Sequence, residues 1–428
     1  MVLVAVTFFV LLLLGMPVGL VLGVAGLTGL IDMGGEQFLT MAPGRFFSGL
    51  NLFAFLAMPF FILAGEIMNR SGMTLSLVNF AQALVGWLRG GMAHSNMLAS
   101  VLFAGLTGSA TADAAAFGNT FVPAMKKAGY RGDYACAVTA AGSIIGPIIP
   151  PSTLAIIYGS LMGVSIAGLF AAGIIPGLLL CLVCMCLIAA TARRLKLPKD
   201  DSRPNLAHIL KEFRGSLLAL ILPVFILGSI LLGFTTPTEA AALAVFYALF
   251  VGGVIYRNIS WKDLYEMLAR TVLICGIIFL IIASASILGW WMTFNQIPQL
   301  IADGFLSISE TPAIVLGMII ALLLFIGLFM DINAALIILA PVLTPLTISI
   351  GMDPVHAGMI IILALTISLM TPPVGACLFV LASVTGERIE SITRYLWPFI
   401  LVELGVLFLT AYWEPVSLFI PRLFGLAG

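Results

Sequence analysis

Two stretches carry groups that could hold a solute. Gly142-Ser-Ile-Ile-Gly-Pro-Ile-Ile-Pro-Pro-Ser-Thr153 and Ser368-Leu-Met-Thr-Pro-Pro-Val-Gly-Ala376 set paired prolines in the middle of apolar runs, Tyr134 to Met162 and His356 to Val384. Proline has no N–H and clashes with the preceding turn, so neither run can be one unbroken helix. The carbonyls it frees are tolerated at membrane depth only where protein buries them or where they line a polar cavity. Small polar residues stand nearby: Thr107, Ser109, Thr111, Ser152 and Thr153 in the first half, Asn333 and Thr371 in the second. Carbonyl and hydroxyl oxygens suit a hard monovalent cation such as Na⁺, and the half-helix N-termini beyond each break suit an anion. The same residue types also occur at ordinary kinks and helix contacts. Their paired occurrence favours ion and substrate sites.

The elements that must position these groups are membrane helices. The chain is 61% hydrophobic and 9% charged, with 19 basic and 19 acidic residues. That composition lies outside the range of soluble domains and offers no basic field for nucleic acid. Val2–Ile31 reads as a first membrane helix interrupted at Gly15-Met-Pro17, not as a removable signal. Asp32–Leu50 reads as a polar connection, Asn51–Met68 as a span, and Thr74–Leu88 as an amphipathic interfacial helix. Met92–Ala128, broken at Gly105–Asp113, suggests a re-entrant hairpin. The first split helix and Ser165–Ala192 follow, then the hydrophilic linker Arg193–Arg214. Beyond it lie helices near Ser216–Gly233 and Pro237–Tyr256, an amphipathic Trp261–Arg270 and a helix at Thr271–Trp291. A second hairpin, Pro312–Ile350, has Gly327–Asn333 at its tip. The second split helix and Tyr395–Ile420 complete the chain. The six cysteines lie in apolar segments, and no histidine stands near Cys181, Cys184 and Cys186 to suggest a metal site.

Landmarks repeat. Pro17 and Pro237, Asp113 and Asp331, Pro123 and Pro341, Pro150 and Pro372, and Pro176 and Pro398 stand 218 to 222 positions apart. With re-entrant hairpins, four crossings precede the linker, and an extra helix at Ser216–Gly233 puts the second half in upside down. An N-terminus in the cytoplasm then places every basic residue there except Arg45 and Arg422, as the positive-inside rule asks. The fold expected is therefore all-α and polytopic, an inverted repeat with two re-entrant hairpins and two broken helices. Its C-terminus lies in the periplasm.

Acidic residues inside a membrane need a reason. Thr236-Pro-Thr-Glu239 is a capping box with proline at the first helical position. Glu66 stands four residues before Arg70, the spacing of a helix-surface pair. Glu403 has no assignment. Asp113 and Asp331, at the two hairpin tips, either cap a hairpin helix or help to hold a cation.

Leu63-Ala-Gly-Glu-Ile-Met68 with Ser71-Gly72, Gly86-Trp-Leu-Arg-Gly-Gly91, Thr107-Gly-Ser109, Ile149-Pro-Pro-Ser152 and Phe234-Thr-Thr-Pro-Thr-Glu-Ala-Ala-Ala242 resemble the large membrane subunit of tripartite ATP-independent periplasmic (TRAP) transporters. The resemblance runs from about Gly15 to Leu401. It implies a bacterial inner-membrane secondary transporter, importing organic acids such as sialic acid or C4-dicarboxylates with Na⁺ by an elevator movement. Implied partners are a small four-helix membrane subunit and a soluble periplasmic binding protein. Implied units are scaffold and arm (1–90 and 215–310), transport-domain halves (91–192 and 311–428) and a cytoplasmic linker (193–214). Carried over by motif, one Na⁺ site uses Thr107, Ser109, Gly146, Ile148 and Pro151, and a second uses Gly327, Asp331, Thr371, Pro372 and Val374. The substrate would lie between the tips, with Asp113, Ser152, Asn333, Pro373 and Gly375 facing it. The first hairpin often carries Ser-Gly-Ser in this family and here reads Thr-Gly-Ser, which keeps a hydroxyl.

Two other classes share some of these features. A stand-alone proton-coupled anion carrier could have the same architecture. An intramembrane aspartyl protease would also pair membrane aspartates, but it resembles Tyr-Asp and Gly-x-Gly-Asp contexts, whereas Ala112 and Met330 precede the aspartates here. The charge distribution generates a first prediction. Single cysteines between Arg193 and Arg214, in a cysteine-free background, should resist an impermeant maleimide in intact cells and react after the membrane is opened; labelling from the periplasm would refute the orientation.

Overall fold

The computed structural model describes residues 1–199 and 205–427, without the side chains of Glu36, Leu106 and Thr107. Among the described residues all regular elements are helices, apart from an isolated bridge between Arg89 and Lys199. Among the described residues seven helices are long and apolar enough to cross a bilayer, one of them the hairpin helix Ile332–Ser349. The hairpins and split helices fall where the breakers predict. The first hairpin pairs Gly91–Thr107 with Ala110–Lys127, and the second pairs Pro312–Gly327 with Ile332–Ser349. The split helices are Gly132–Ser143 with Thr153–Met162, and Pro354–Ser368 with Ala376–Thr385. Both breaks contain a cis Pro–Pro peptide, at Pro150–Pro151 and Pro372–Pro373.

The two halves exchange partners. Val18–Gly34 packs on Trp261–Phe294, and its counterpart Pro237–Phe250 packs on Ala57–Arg70. Thr153–Met162 packs on Ile332–Ser349, while Ala376–Thr385 packs on Ala110–Lys127. Such reciprocal pairs are what a pseudo-two-fold between inverted repeats produces. The register differs from the one the aspartates suggest. Ala110–Lys127 and Ile332–Ser349 are both 18 residues long and start 222 positions apart. Pro123 therefore corresponds to Pro345, not Pro341, and Asp331 corresponds to Ser109, not Asp113. The equal Asp-to-Pro spacing in the two halves misleads because Ile332–Ser349 contains two prolines.

Several expectations need correction. Val2–Ile31 is not one interrupted span. Gly15 at φ +76° turns the chain, Val2–Leu13 folds back on Val18–Gly34, and the Met1 amine lies 3.2 Å from Asp32. The N-terminus thus sits at the Asp32 end, the end of Arg45 in the orientation above, and not at the linker end. Val2–Leu13 also becomes the counterpart of Leu206–Leu231, so that helix is not an extra one. It starts at Leu206, which leaves the linker shorter than 193–214; residues 200–204, within that linker, lie outside the described residues. Asp32–Leu50 is largely helical, and the last span is Ile389–Tyr412, followed by a separate Pro415–Leu423. Trp261–Phe294 is a single 34-residue helix, since nothing between Arg270 and Thr271 interrupts it.

That long helix also breaks the expected Glu66–Arg70 pair. It brings Arg270 to 3.3 Å from Glu66, and Asp263 takes both Arg70 Nε, at 2.8 Å, and Nη2. The capping box at Thr236 is as expected, with Thr236 N–H donating to Glu239 at 2.8 Å and Glu239 N–H donating to the Thr236 hydroxyl at 3.3 Å. Basic residues gather at one end through these pairs and through Lys126 on Glu387 and Arg131 on Asp133. Arg45, over the Trp290 ring, and Arg422, beside Glu414, lie at the other.

Glycines set a close helix contact. Gly19, Gly23, Gly26 and Gly29 share one face of Val18–Gly34 and meet Leu280, Ser284, Ile287 and Trp291 on the long helix. Small residues let backbones approach where lipid supplies no hydrophobic drive between helices. A Cβ on Gly26 would lie 2.9 Å from the Leu288 backbone nitrogen. Gly276 has no atom within 4 Å of such a position. Gly26→Ala should therefore lower the melting temperature of the purified protein by several degrees. Gly276→Ala, relieved of glycine's helix penalty of up to about 1 kcal/mol, should leave it unchanged or higher. Equal effects in a thermal-shift comparison would count against this contact.

Candidate functional site

The first hairpin tip seats directly on the first break. Gly91–Thr107 ends at Gly108, whose φ of +58° turns the chain. Ser109 then caps the next helix, accepting the Ala112 N–H at 3.5 Å. A Cβ on Gly108 would stand 2.7 Å from the Pro151 carbonyl oxygen, so only glycine fits both the turn and the approach. Thr153 Oγ1 closes the contact by donating to the Gly108 carbonyl at 3.2 Å. Beyond the break, Ser152 caps Thr153–Met162, accepting the Ala155 N–H at 3.2 Å and donating to the Pro147 carbonyl. Ser109, Pro151 and Ser152 are thus brought together around Gly108, while Gly146 lies against Asp113. The Ile148 carbonyl instead faces Gly173 of Ile166–Thr191, where a Cβ would be 2.1 Å away. The Thr107 side chain lies outside the described residues.

Asp113 is fully buried one turn beyond Ser109. Its Oδ2 would lie 2.2 Å from a Cβ on Gly146, so the missing side chain admits the carboxylate to the break. Cys377, from the other half's split helix, neighbours both Asp113 and Ser143. The first break and the start of Ala376–Thr385 therefore meet at this carboxylate.

The second unit is more open. Gly327 packs on Ser368, with a Cβ position 2.6 Å from the Ser368 Cβ. Asp331 is exposed and caps Ile332–Ser349, accepting the N–H groups of Asn333 at 2.9 Å and Ala334 at 3.3 Å. Thr371 donates to the Ile367 carbonyl at 2.9 Å. Gly375, at φ +54°, is buried against Leu378, whereas Pro373 and Val374 are exposed and Asn333 and Pro372 are half-buried. Of the two readings of the hairpin aspartates, capping describes Asp331, while Asp113 sits inside its helix and leaves capping to Ser109. One buried, one exposed and not equivalent in register, they do not form the symmetric pair an aspartyl protease uses.

Glu403 lies fully buried on Ile389–Tyr412 and accepts from the Cys184 thiol at 3.3 Å, across the contact between the last helices of the two repeats. Sequence reading overlooked a second buried polar group, the Asn96–Thr139 contact at 2.8 Å between the first hairpin and the first split helix. An asparagine and two serines at 95, 96 and 100 in an apolar helix are the signal that could have found it.

Comparison with known proteins agrees with this fold. The family model described as "Tripartite ATP-independent periplasmic transporter, DctM component" matches residues 5–416. The chain is 39% identical over 417 residues to the sialic acid TRAP transporter large permease protein SiaM of Vibrio cholerae, covering 97% of this chain and 96% of the relative. It is 37% identical over 375 residues to the C4-dicarboxylate TRAP transporter large permease protein DctM of Pseudomonas aeruginosa, covering 88% of each. Among solved structures, the YdaH transporter of Alcanivorax borkumensis superposes with a TM-score of 0.64 over 91% of each chain, at 17% identity. That likeness is one of fold.

The seated tip yields a third prediction. Gly108→Val forces a β-branched residue into the left-handed region against the Pro151 carbonyl, a strain of order 1–3 kcal/mol. A Ser109→Cys reporter in a cysteine-free background should then react with a small maleimide about tenfold faster than in the Gly108 parent. An unchanged rate would mean the tip does not depend on this contact.

Proposed function

The chain belongs to the DctM component family of tripartite ATP-independent periplasmic transporters, and from that membership we propose that it imports an organic acid anion across the bacterial inner membrane with Na⁺. It is a transporter permease and not an enzyme. The observation that carries the reading is the seating of a hairpin tip on a proline break, where freed carbonyls and a helix N-terminus face one small volume. Oxygen ligands and helix N-termini are the means by which transporters of this kind hold a cation beside an anionic substrate.

The first Na⁺ site is assigned to Ser109, Gly146 and Pro151 with Thr107 and Ile148, and the second to Gly327, Asp331, Thr371, Pro372 and Val374. The anion lies between the tips, near Ser152, Asn333, Pro373 and Gly375, with Asp113 bracing the first break. The hairpins and split helices, 91–192 and 311–428, form a transport domain that moves against the scaffold of 1–90 and 215–310. Relatives named for sialic acid and for C4-dicarboxylate make these two carboxylate classes the first to try. A periplasmic binding protein delivers the substrate, and a small membrane subunit packs beside the scaffold. The linker faces the cytoplasm. The folded-back N-terminus and the C-terminus then face the periplasm.

Cation and anion stabilise the same closed tip, so each raises the other's affinity by the same factor. In liposomes holding the full complex and a binding protein loaded with sialic acid or succinate, initial uptake should rise sigmoidally with Na⁺. Lowering Na⁺ tenfold should raise the apparent substrate KM several-fold. Undiminished uptake in K⁺ or choline, lost when a proton gradient is collapsed, would replace this reading with a proton-coupled carrier.

A further inference from the structure

We propose that the seam between Gly91–Thr107 and Gly132–Ser143 holds a dehydrated monovalent cation at Asn96, apart from the hairpin-tip sites. Asn96 lies 11 residues before Thr107, about 16 Å along the helix at 1.5 Å per residue. Asn96, Ser100 and Thr139 line the seam, and all three are fully buried.

The hydrogen bonds give these groups a common polarity. The Thr139 hydroxyl donates to the Ala135 carbonyl at 2.9 Å, so it can only accept from Asn96 Nδ2, at 2.8 Å. That fixes the amide orientation and points Asn96 Oδ1 away from Thr139. Ser100 donates to the Asn96 carbonyl at 2.9 Å. The Ser100 and Thr139 hydroxyls thus spend their protons on their own helices and keep lone pairs for the seam. Asn96 Oδ1 has no hydrogen-bond partner among the described residues. A buried acceptor left in that state is costly.

Space and field agree with a cation. The point where Gly142 would carry a Cβ lies 2.5 Å from Ser100 Oγ and 3.7 Å from Asn96 Oδ1, so the glycine lets both oxygens converge. Gly132–Ser143 ends at this level, and a helix C-terminus brings partial negative charge. An unpartnered amide oxygen and a hydroxyl whose proton is already spent, beside a negative helix end, call for a hard monovalent cation. A divalent ion would want carboxylates, and none is among these three residues.

The test is the thermal stability of the complete membrane complex, without substrate, titrated with NaCl against choline chloride at constant ionic strength. Ser100→Ala removes one hydroxyl that otherwise bonds only its own helix, and Asn96→Ala removes the amide oxygen. Each should raise the Na⁺ concentration for half-maximal stabilisation about tenfold, the equivalent of one lost ligand worth about 1.4 kcal/mol. The same shift should survive in a Gly108→Val background, where the first tip is unseated, which separates this seam from the tip sites. If Asn96→Ala does not fold, Ser100→Ala alone decides. An unchanged Na⁺ midpoint in the folded variants means that the seam holds water only and overturns the proposal. Loss of Na⁺-driven uptake with an intact seam titration would count against the transport reading and leave this one standing.

Discussion

A peptide carbonyl in hydrocarbon must find a partner, and this chain places five prolines at two breaks where carbonyls lose theirs. Everything around the breaks answers that constraint. Gly108 brings a hairpin tip against Pro151, Thr153 reaches back to the tip, and Gly173 and Gly177 let Ile166–Thr191 lie against Ile148 and Ile149. Ser152 accepts an N–H group of the helix that restarts. A hairpin is thus the covering that makes a broken helix tolerable, and this explains why the two devices occur together in each half.

The two units obey the constraint with different side chains. In the first, a neutral serine caps the hairpin helix and an aspartate is buried one turn further on. In the second, the cap is itself the aspartate, at an exposed tip. Architecture is shared between the halves, and chemistry is not. The exchange of helices between halves, with Thr153–Met162 on one hairpin and Ala376–Thr385 on the other, means that neither unit is complete without its inverted partner.

Much of this was legible in the sequence because its signals are local. Paired prolines in apolar runs marked the breaks, Gly-Ser and Gly-Leu-Phe-Met-Asp marked the tips, and Thr236–Glu239 gave a cap that formed as written. What failed depended on which helix lies beside which. Glu66 chose Arg270 over its own neighbour because a helix two hundred residues away passes closer than the next turn. Val2–Leu13 looked like part of a span because composition cannot distinguish a helix that continues from one that doubles back at Gly15. The repeat register slipped by four residues because one proline too many lies in Ile332–Ser349, and only helix boundaries resolve the choice. The partner of Glu403 was beyond reach for the same reason, since Cys184 stands in the other half of the chain.

Trp261–Phe294, at 34 residues, is about 51 Å long at the α-helical rise. The hydrocarbon of a bilayer is about 30 Å thick, so the helix must tilt or project. Its first turns carry Trp261, Lys262 and Tyr265, exposed and of the types that settle among lipid headgroups, and Asp263 and Arg270 tie the same turns to Arg70 and Glu66. With that end held at one surface, a change in bilayer thickness is taken up as inclination of the helix. Val18–Gly34, locked to it through glycines, has to lean with it. This pair is therefore a strut whose angle follows the lipid.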